Sequence, residues 1–310
     1  MTKHLPTWQF IINPTAGGNR PRKNIKYLTK ALNQSPLNYK ITTSEYSGHS
    51  IEIATLAIQN GIQHIAVVGG DGSLNEVIQA IMQSPNPNNI TLTTLPWGTG
   101  NDWARTCNIP KRPKAFIQFL MTADSRLQDV GKVIYCQNKI VKQHYFLNSV
   151  GCGFDSYLLE KMGSAGGSRW VYYSYLLKCL KHYSAAPMKI ACNNLDALDN
   201  KKSLMTMACI TPFGGGGMRF APQAEVDDGL FDFIDINDMP LIQRALSLPY
   251  LSNGKIAQHP QVTSLQTDCF SLDTQHAPDN ITFQCDGELI GTLPLTATIQ
   301  KQAVRVLHQH

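Results

Sequence analysis

The chain is short of charge. Of its 310 residues only 16% are Asp, Glu, Lys or Arg, against 43% hydrophobic, so apolar surface is expected somewhere. Its eight cysteines, at 107, 136, 152, 179, 192, 209, 269 and 285, form no Cys-x-x-Cys pair. Most lie in apolar runs and read as reduced core thiols of a cytosolic protein. No run approaches the length of a membrane span. The opening Met1-Thr2-Lys3-His4-Leu5-Pro6 lacks the apolar stretch of a secretion signal. Low-complexity tracts and internal repeats are missing. So is any basic stripe interleaved with aromatics, and a net charge of +5 with pI about 8.7 falls short of a nucleic-acid binder. That mild excess suits an anionic nucleotide or brief contact with an anionic membrane surface. Finally there is no Gly-x-x-x-x-Gly-Lys-Ser/Thr, because Gly214–Gly217 runs into Met218 and Arg219, which excludes a P-loop enzyme.

What the chain does have is a strand feeding a glycine turn, three times in its first hundred residues. Ile65, Ala66, Val67 and Val68 read as a buried strand, and Leu74, Val77, Ile78 and Ile81 recur at helical spacing. Gly69-Gly70-Asp71-Gly72-Ser73 lies between them, where glycine lets a backbone approach a ligand closely. The following helix offers N–H groups and a positive dipole end, a phosphate site with a carboxylate at its centre. A carboxylate beside phosphate is unfavourable without a bridging cation, so Asp71 suggests metal-assisted phosphoryl transfer; the alternative is a turn-forming aspartate. Thr91–Leu95 runs into Pro96-Trp97-Gly98-Thr99-Gly100-Asn101-Asp102, where Thr99 and Asn101 offer polar groups to phosphate or ribose. Phe10–Ile12 runs into Asn13-Pro14-Thr15-Ala16-Gly17-Gly18. Parallel strands open their carboxyl ends on one side, where such folds bind ligands.

Together these segments resemble the diacylglycerol kinase catalytic-domain family, which includes bacterial soluble lipid kinases and sphingosine and ceramide kinases. The matching residues are Asn13-Pro14 with Gly17, then Gly69–Ser73 with Asn75-Glu76, then Leu95-Pro96 with Gly98-Thr99 and Asn101-Asp102. Further matches are Asp129-Val130-Gly131, Asn148 with Gly151 and Gly153-Phe154-Asp155, Gly215–Met218, Ala221-Pro222 with Ala224, Val226–Leu230, and Asp286-Gly287-Glu288. Ser73 stands where the family usually has Thr, and the hydroxyl is kept.

The resemblance implies an ATP-dependent lipid kinase, with ATP held by Asn13, Thr43, Gly69, Gly70, Asp71, Gly72, Ser73, Asn75, Glu76, Gly98, Thr99 and Asn101. It places His49 near the nucleotide too, although a helix N-terminal residue explains His49 equally well. It assigns Glu288 as general base on the lipid hydroxyl, its pKa raised by partial burial and nearby carboxylates; residue types alone make Asp286-Gly287-Glu288 a hairpin tip. It also implies a structural Mg²⁺ held by Asp228 with backbone oxygens of Glu225 and Leu230, and linked to Asp129. Without it both aspartates are turn residues. The acceptor is most simply a diacylglycerol presented at a membrane surface, with phosphatidylglycerol and sphingoid types as variants. A catalytically inactive binding regulator is the competing class. Oligomeric state, a homodimer included, stays open.

Texture along the chain predicts two domains. Strands near 8–12, 38–43, 64–69 and 90–95 alternate with helices near 22–34, 49–60, 73–83 and 113–122, an α/β domain over 1–125 with a parallel sheet covered on both faces. Strand-like runs follow at 127–135, 139–150, 187–193, 204–211, 229–236, 262–270, 280–286 and 289–300, a mostly antiparallel β-rich domain over 126–300, which the resemblance makes the lipid-binding domain. The resemblance implies that residues 301–310 return to the first domain. Two helical insertions are expected, near 240–251 and at 167–183, where Trp170, Tyr173, Leu176, Leu177 and Leu180 share a face that lines a cleft, touches a bilayer or packs in the core. Arg20, Arg22, Lys23, Lys26 and Lys30 read as a solvated helix face or a phosphate contact.

Overall fold

The computed structural model describes residues 6–163, 169–193, 195–274 and 281–309. The chain divides into two compact units, Met1–Gln128 with Gln302–His310, and Asp129–Lys301.

In the first unit, strands β1 (Thr7–Ile12), β2 (Asn38–Thr43), β3 (His64–Gly69) and β4 (Thr91–Pro96) alternate with helices α1 (Ala16–Asn33), α2 (His49–Gln59), α3 (Asp71–Met82), α4 (Asp102–Thr106) and α5 (Pro113–Thr122). The strands pair in parallel in the order β4-β3-β1-β2. Helices cover both faces of such a sheet, so central strands read as continuous apolar runs, and Ile65–Val68 are fully buried. Leu74, Val77, Ile78 and Ile81 form the buried stripe of α3. Arg20, Arg22, Lys23, Lys26 and Lys30 are exposed on α1. That helix starts six residues before the expected 22, because Gly17, Gly18 and Asn19 make a left-handed turn ahead of the regular helix.

The chain then enters the second unit along β5 (Asp124–Gln137), followed by β6 (Ile140–Phe146), β7 (Ser149–Gly153), α6 (Phe154–Met162), α7 (Arg169–His182), β8 (Pro187–Cys192), β9 (Leu195–Cys209), a small hairpin of β10 (Phe213–Gly214) and β11 (Met218–Arg219), β12 (Phe231–Asn237), α8 (Leu241–Asn253), β13 (Val262–Thr267), β14 (Cys269–Asp273), β15 (Thr282–Cys285), β16 (Glu288–Thr292) and β17 (Leu295–His308). Pairing here is antiparallel. The second half of β9 lies between β7 and β12, and its first half pairs with β8. One core cluster includes Phe146, Phe231, Phe270 and Phe283; another, including Phe154, Leu158, Leu180, Ile234 and Ile256, packs about α6 and α7. Strand β17 leaves this unit, and its last residues pair in parallel with β4 through Arg305↔Thr91 and Val306↔Leu92. Residues 167–168 and 280, and the side chains of Trp170 and Tyr173, lie outside the described residues. Leu176 and Leu180 of α7 are buried, whereas Leu177, expected on their face, is 59% exposed. All eight cysteines are free, and six are buried. Among the described residues no helix is long and apolar enough to cross a membrane.

Candidate active site

The loops after β1, β3 and β4 are stacked on one another by backbone contacts. The N–H groups of Trp97 and Gly98 both donate to the Gly69 carbonyl at 2.8 Å, and Asn13 N–H donates to Val68 O at 3.0 Å. A Cβ on Gly98 would stand 2.3 Å from Gly70 Cα, and one on Gly17 would stand 2.1 Å from the Trp97 carbonyl oxygen. Glycine is thus required at Gly98 and Gly17 by neighbouring backbone.

Side chains lock this arrangement. Asn13 donates from Nδ2 to Ser73 Oγ at 2.8 Å, while its Oδ1 accepts from Thr15 N–H and Oγ1. Asn101, itself left-handed at φ 55°, accepts from Gly98 N–H at 2.9 Å and donates back to the Gly98 carbonyl at 2.8 Å. Glu76 accepts from Gly48 N–H at 2.8 Å, so α3 also holds the loop after β2. In that loop His49 accepts the Glu45 N–H through Nδ1 at 3.1 Å and stacks on Tyr46 with centroids 4.5 Å apart. Ser73, Asn75 and Asn101 are buried, while Thr43 and Thr99 are exposed.

Asp71 occupies the first turn of α3, where N–H groups lack intrahelical partners. Its carboxylate accepts from the N–H groups of Asp102 and Trp103 at 3.1 and 3.3 Å, so it caps α4 from 31 residues upstream. Asp102 in turn pairs with Arg105. The first unit therefore brings Asn13, Gly69, Gly70, Asp71, Ser73, Gly98 and Asn101 together, with buried Asn75 on the same helix and Glu76 bonded to the loop after β2. The first-turn N–H groups of α3 border it, as anion binding at a helix start requires.

The second unit holds the other expected residues. Asp286 and Gly287, at φ 52° and 86°, make the two-residue turn between β15 and β16. The Asp286 carboxylate is buried and accepts three backbone N–H groups: Leu147 at 2.9 Å, Asn148 at 2.8 Å and Ser149 at 3.1 Å. This ligation explains why the expected strand 139–150 breaks into β6 and β7. Glu288 is exposed, which corrects the expected partial burial: the burial falls on Asp286 instead.

Asp129 is fully buried and accepts from Gly229 N–H at 2.6 Å, and Asp228 accepts from Leu230 N–H at 2.9 Å. Both aspartates shape the 225–230 loop. Among the described residues no group of three His, Cys, Asp or Glu side chains is set to hold a metal. One carboxylate with backbone carbonyls needs no such group and suits a hard cation. Nearby, burial first, then the Asp228 and Glu225 charges, push the Asp232 carboxyl up to about 6. That loop is rich in carboxylates, and the Lys301 side chain lies against it at Gly229.

A third feature was read from the sequence only in part, as one of the alternatives for the 167–183 helix, a face lining a cleft. An apolar pocket of about 60 Å³ lies within the second unit, walled by Phe154, Leu158, Leu176, Leu180 and Met205. Asp155 and Arg244 are among its few polar lining residues. Asp155 accepts from Gln284 Nε2 at 3.0 Å, while its other oxygen is buried with no hydrogen-bond partner. Burial pushes this carboxyl up to about 6. Arg244 donates to the carbonyls of Met239, Leu180 and Tyr183 and pairs with Asp238 at 2.6 Å. The sequence signals were the apolar face of the 167–183 helix, with Leu176 and Leu180, and Asp155 two residues after Gly153 of β7.

Known proteins resemble the chain throughout. Residues 7–133 match the diacylglycerol kinase catalytic domain, and residues 148–308 match the YegS C-terminal NAD kinase beta sandwich-like domain. The Bacillus subtilis (strain 168) protein named "Putative lipid kinase YtlR" is 27% identical over 96% of this chain and 98% of its own length. A protein named "Diacylglycerol kinase" from Staphylococcus saprophyticus is 24% identical over 96% of this chain and 94% of its own. A crystal structure described as a diacylglycerol kinase from Bacillus anthracis str. Sterne superposes with a TM-score of 0.73, at 18% identity, covering 100% of this chain and 98% of that one; it shows a shared fold. With both halves matched in order over nearly its whole length, the chain belongs to the diacylglycerol kinase catalytic-domain family.

Proposed function

We propose that the protein transfers the γ-phosphoryl group of ATP to the hydroxyl of a lipid, most simply a diacylglycerol, giving phosphatidic acid. The observation that carries this reading is the stack of glycine loops at the carboxyl ends of β1, β3 and β4, closed by Gly98 against Gly70. Backbone N–H groups and an α-helix start face that stack, which suits polyphosphate. The names of the curated relatives support a lipid acceptor, and so does an apolar pocket in the second unit.

In this reading Asn13, Thr43, Gly69–Ser73, Asn75, Glu76, Gly98, Thr99 and Asn101 bind ATP. The acceptor oxygen bonds to the γ-phosphorus while the bridging P–O bond to the β-phosphate breaks, releasing ADP. Glu288 takes the hydroxyl proton, a role its exposure at a turn permits and a hairpin tip alone does not require. Mg²⁺ would neutralise phosphate charge, with Asp71 as its carboxylate partner. A second, structural Mg²⁺ would sit on Asp228 with carbonyls of Glu225 and Leu230, the Asp129–Gly229 bond fixing that loop. The protein works as a soluble enzyme of the cytoplasm that visits the membrane.

The test is the purified protein with labelled ATP, Mg²⁺ and a lipid panel in mixed micelles. Diacylglycerol should be labelled best, and Asp71→Asn should lower the rate by roughly 10²–10³ or more. The mutant should stay folded, because asparagine still offers one acceptor to the α4 cap. Absence of any labelled lipid would favour a binding regulator. Labelled phosphatidylglycerol or a sphingoid base instead would move the acceptor.

A further inference from the structure

Strand β15 buries an amide between two apolar side chains. It runs Thr282-Phe283-Gln284-Cys285 and lies between β7 and β16, and Gln284 is 3% exposed. Burying an amide is costly unless its polar atoms are hydrogen-bonded. Both ends of this one are bonded, to groups of different kinds. Its Oε1 accepts the N–H of Gly287 at 2.8 Å, inside the turn that carries Glu288. Its Nε2 donates at 3.0 Å to Oδ2 of Asp155, in the first turn of α6. A backbone N–H can only donate, so the Gly287 bond sets the amide orientation and turns the nitrogen toward Asp155.

Asp155 is itself placed for this bond. A Cβ on Gly151, the residue of β7 paired with Gln284, would occupy the place of Asp155 Oδ2 and press on Gln284 Nε2. The thiols of Cys152, Cys209 and Cys285 and the phenol of Tyr183 lie within reach of the Asp155 charge, and burial pushes all four up, so none of them ionises near neutral pH. Arg244 and His259 border the same pocket as Asp155. The neighbouring carboxylate, Asp286, is occupied by the N–H groups of Leu147, Asn148 and Ser149. The turn thus has two clamps. Asp286 ties it to the break between β6 and β7, and Gln284 ties it to α6 at the residue directly before Glu288. The Glu288 side chain is exposed, so burial does not aim it and the backbone of the turn must.

We infer that Gln284 is the positioning residue of the proposed general base: it transmits the fixed place of the Asp155 carboxylate to the backbone from which Glu288 projects. The inference rests on the lipid-kinase reading for the role of Glu288. A glutamine that only satisfied buried polar groups would change stability and leave turnover per folded molecule as it is. A positioning glutamine changes turnover, and does so without changing the affinity for ATP.

The experiment compares the full-length wild type with Gln284→Leu and Gln284→Glu, below the melting temperature of each. Turnover is read with labelled ATP and diacylglycerol in mixed micelles, ATP affinity by calorimetry, and the turn by amide hydrogen exchange at Gly287. Gln284→Leu should lower kcat by about tenfold to a hundredfold, the scale of a misplacement of about 1 Å, and keep ATP affinity within about twofold. Its Gly287 amide should exchange faster. Gln284→Glu sets a second carboxyl where Gln284 and Asp155 stand 3.0 Å apart, and such a pair shares one proton rather than ionising twice. With the proton shared, the new side chain donates to Asp155 and accepts from Gly287 as glutamine does. Turnover should then approach wild type near about pH 6 and fall away toward about pH 9, where the pair loses that proton and the wild type keeps its activity. Wild-type kcat in the folded Gln284→Leu protein overturns the inference alone. So does unchanged Gly287 exchange in that variant, a loss of ATP affinity equal to its loss of kcat, or a Gln284→Glu deficit that is constant with pH. A wild type that labels no lipid overturns the kinase reading, and the inference with it.

Discussion

Asp286 and Glu288 flank one glycine, and their surroundings give them opposite tasks. Asp286 accepts three N–H groups from the break between β6 and β7. Asp286→Ala strands those donors, each at roughly 1–3 kcal/mol where buried, so urea denaturation should show a loss of several kcal/mol. Glu288→Gln, at an exposed position, should leave stability and ATP affinity by calorimetry almost unchanged. As the proposed general base it should lower kcat by roughly 10²–10⁴, more than it alters the KM for ATP. Wild-type turnover would return the segment to being a turn. The sequence showed the turn but not this division, because the partners of Asp286 lie about 140 positions away and no local pattern announces them.

Asp155 supplies a pH prediction at the same scale. Its folded pKa of about 6 stands above the ordinary carboxyl value because burial disfavours the charge. The unfolded chain therefore releases this proton first as pH rises. The penalty is absent below about pH 4, grows through the window, and is complete above about 6. Stability should fall across that interval by an amount on the order of 3 kcal/mol from this group. Burial shifts Asp232 in the same direction. In Asp155→Asn the denaturation free energy should vary less between pH 4.5 and 7.5 than in wild type. An equally steep profile would show that Asp155 ionises freely.

At the scale of elements, the glycine loops make the sharpest claim. Gly98→Ala has no space beside Gly70, and overpacking of this kind costs about 1–3 kcal/mol. It should also separate the loops and weaken ATP binding, read by calorimetry, well beyond that stability loss. Gly18→Ala, with nothing within 4 Å of its Cβ, tests backbone strain alone and should be the milder change. The α/β alternation was legible because short continuous apolar runs and the 3.6-residue helical period are local. The helix α4 was not legible. It has five residues, and what starts it is the Asp71 carboxylate from another loop. The helix α6, Phe154–Met162, was also missed: its buried Phe154 and Leu158 pair with α7 and β9 rather than forming a long stripe.

At the scale of the molecule, the first unit takes the strand beside β4 from the end of β17. Val304, Val306 and Leu307 are buried there, and burying such side chains contributes about 1.5–3 kcal/mol each. A protein ending at residue 301 should melt at a lower temperature than the full chain, and amide exchange should accelerate first along β4. Unchanged protection of Thr91 and Leu92 would show that the pairing with Arg305 and Val306 is dispensable. The return of the last residues was implied by family resemblance, since Arg305↔Thr91 joins positions no periodicity connects.

That shared strand also orders events during synthesis. The ribosome delivers β1 to β4 early, but the partner of β4 follows only after all of the second unit has been made. Through that interval the growing chain carries an open sheet edge at Thr91 and Leu92, the kind of edge on which nascent chains pair wrongly. Slow translation between residues 129 and 301 should therefore lengthen exposure to misassembly, and a chaperone that shields sheet edges would act on the half of the chain that is synthesised first.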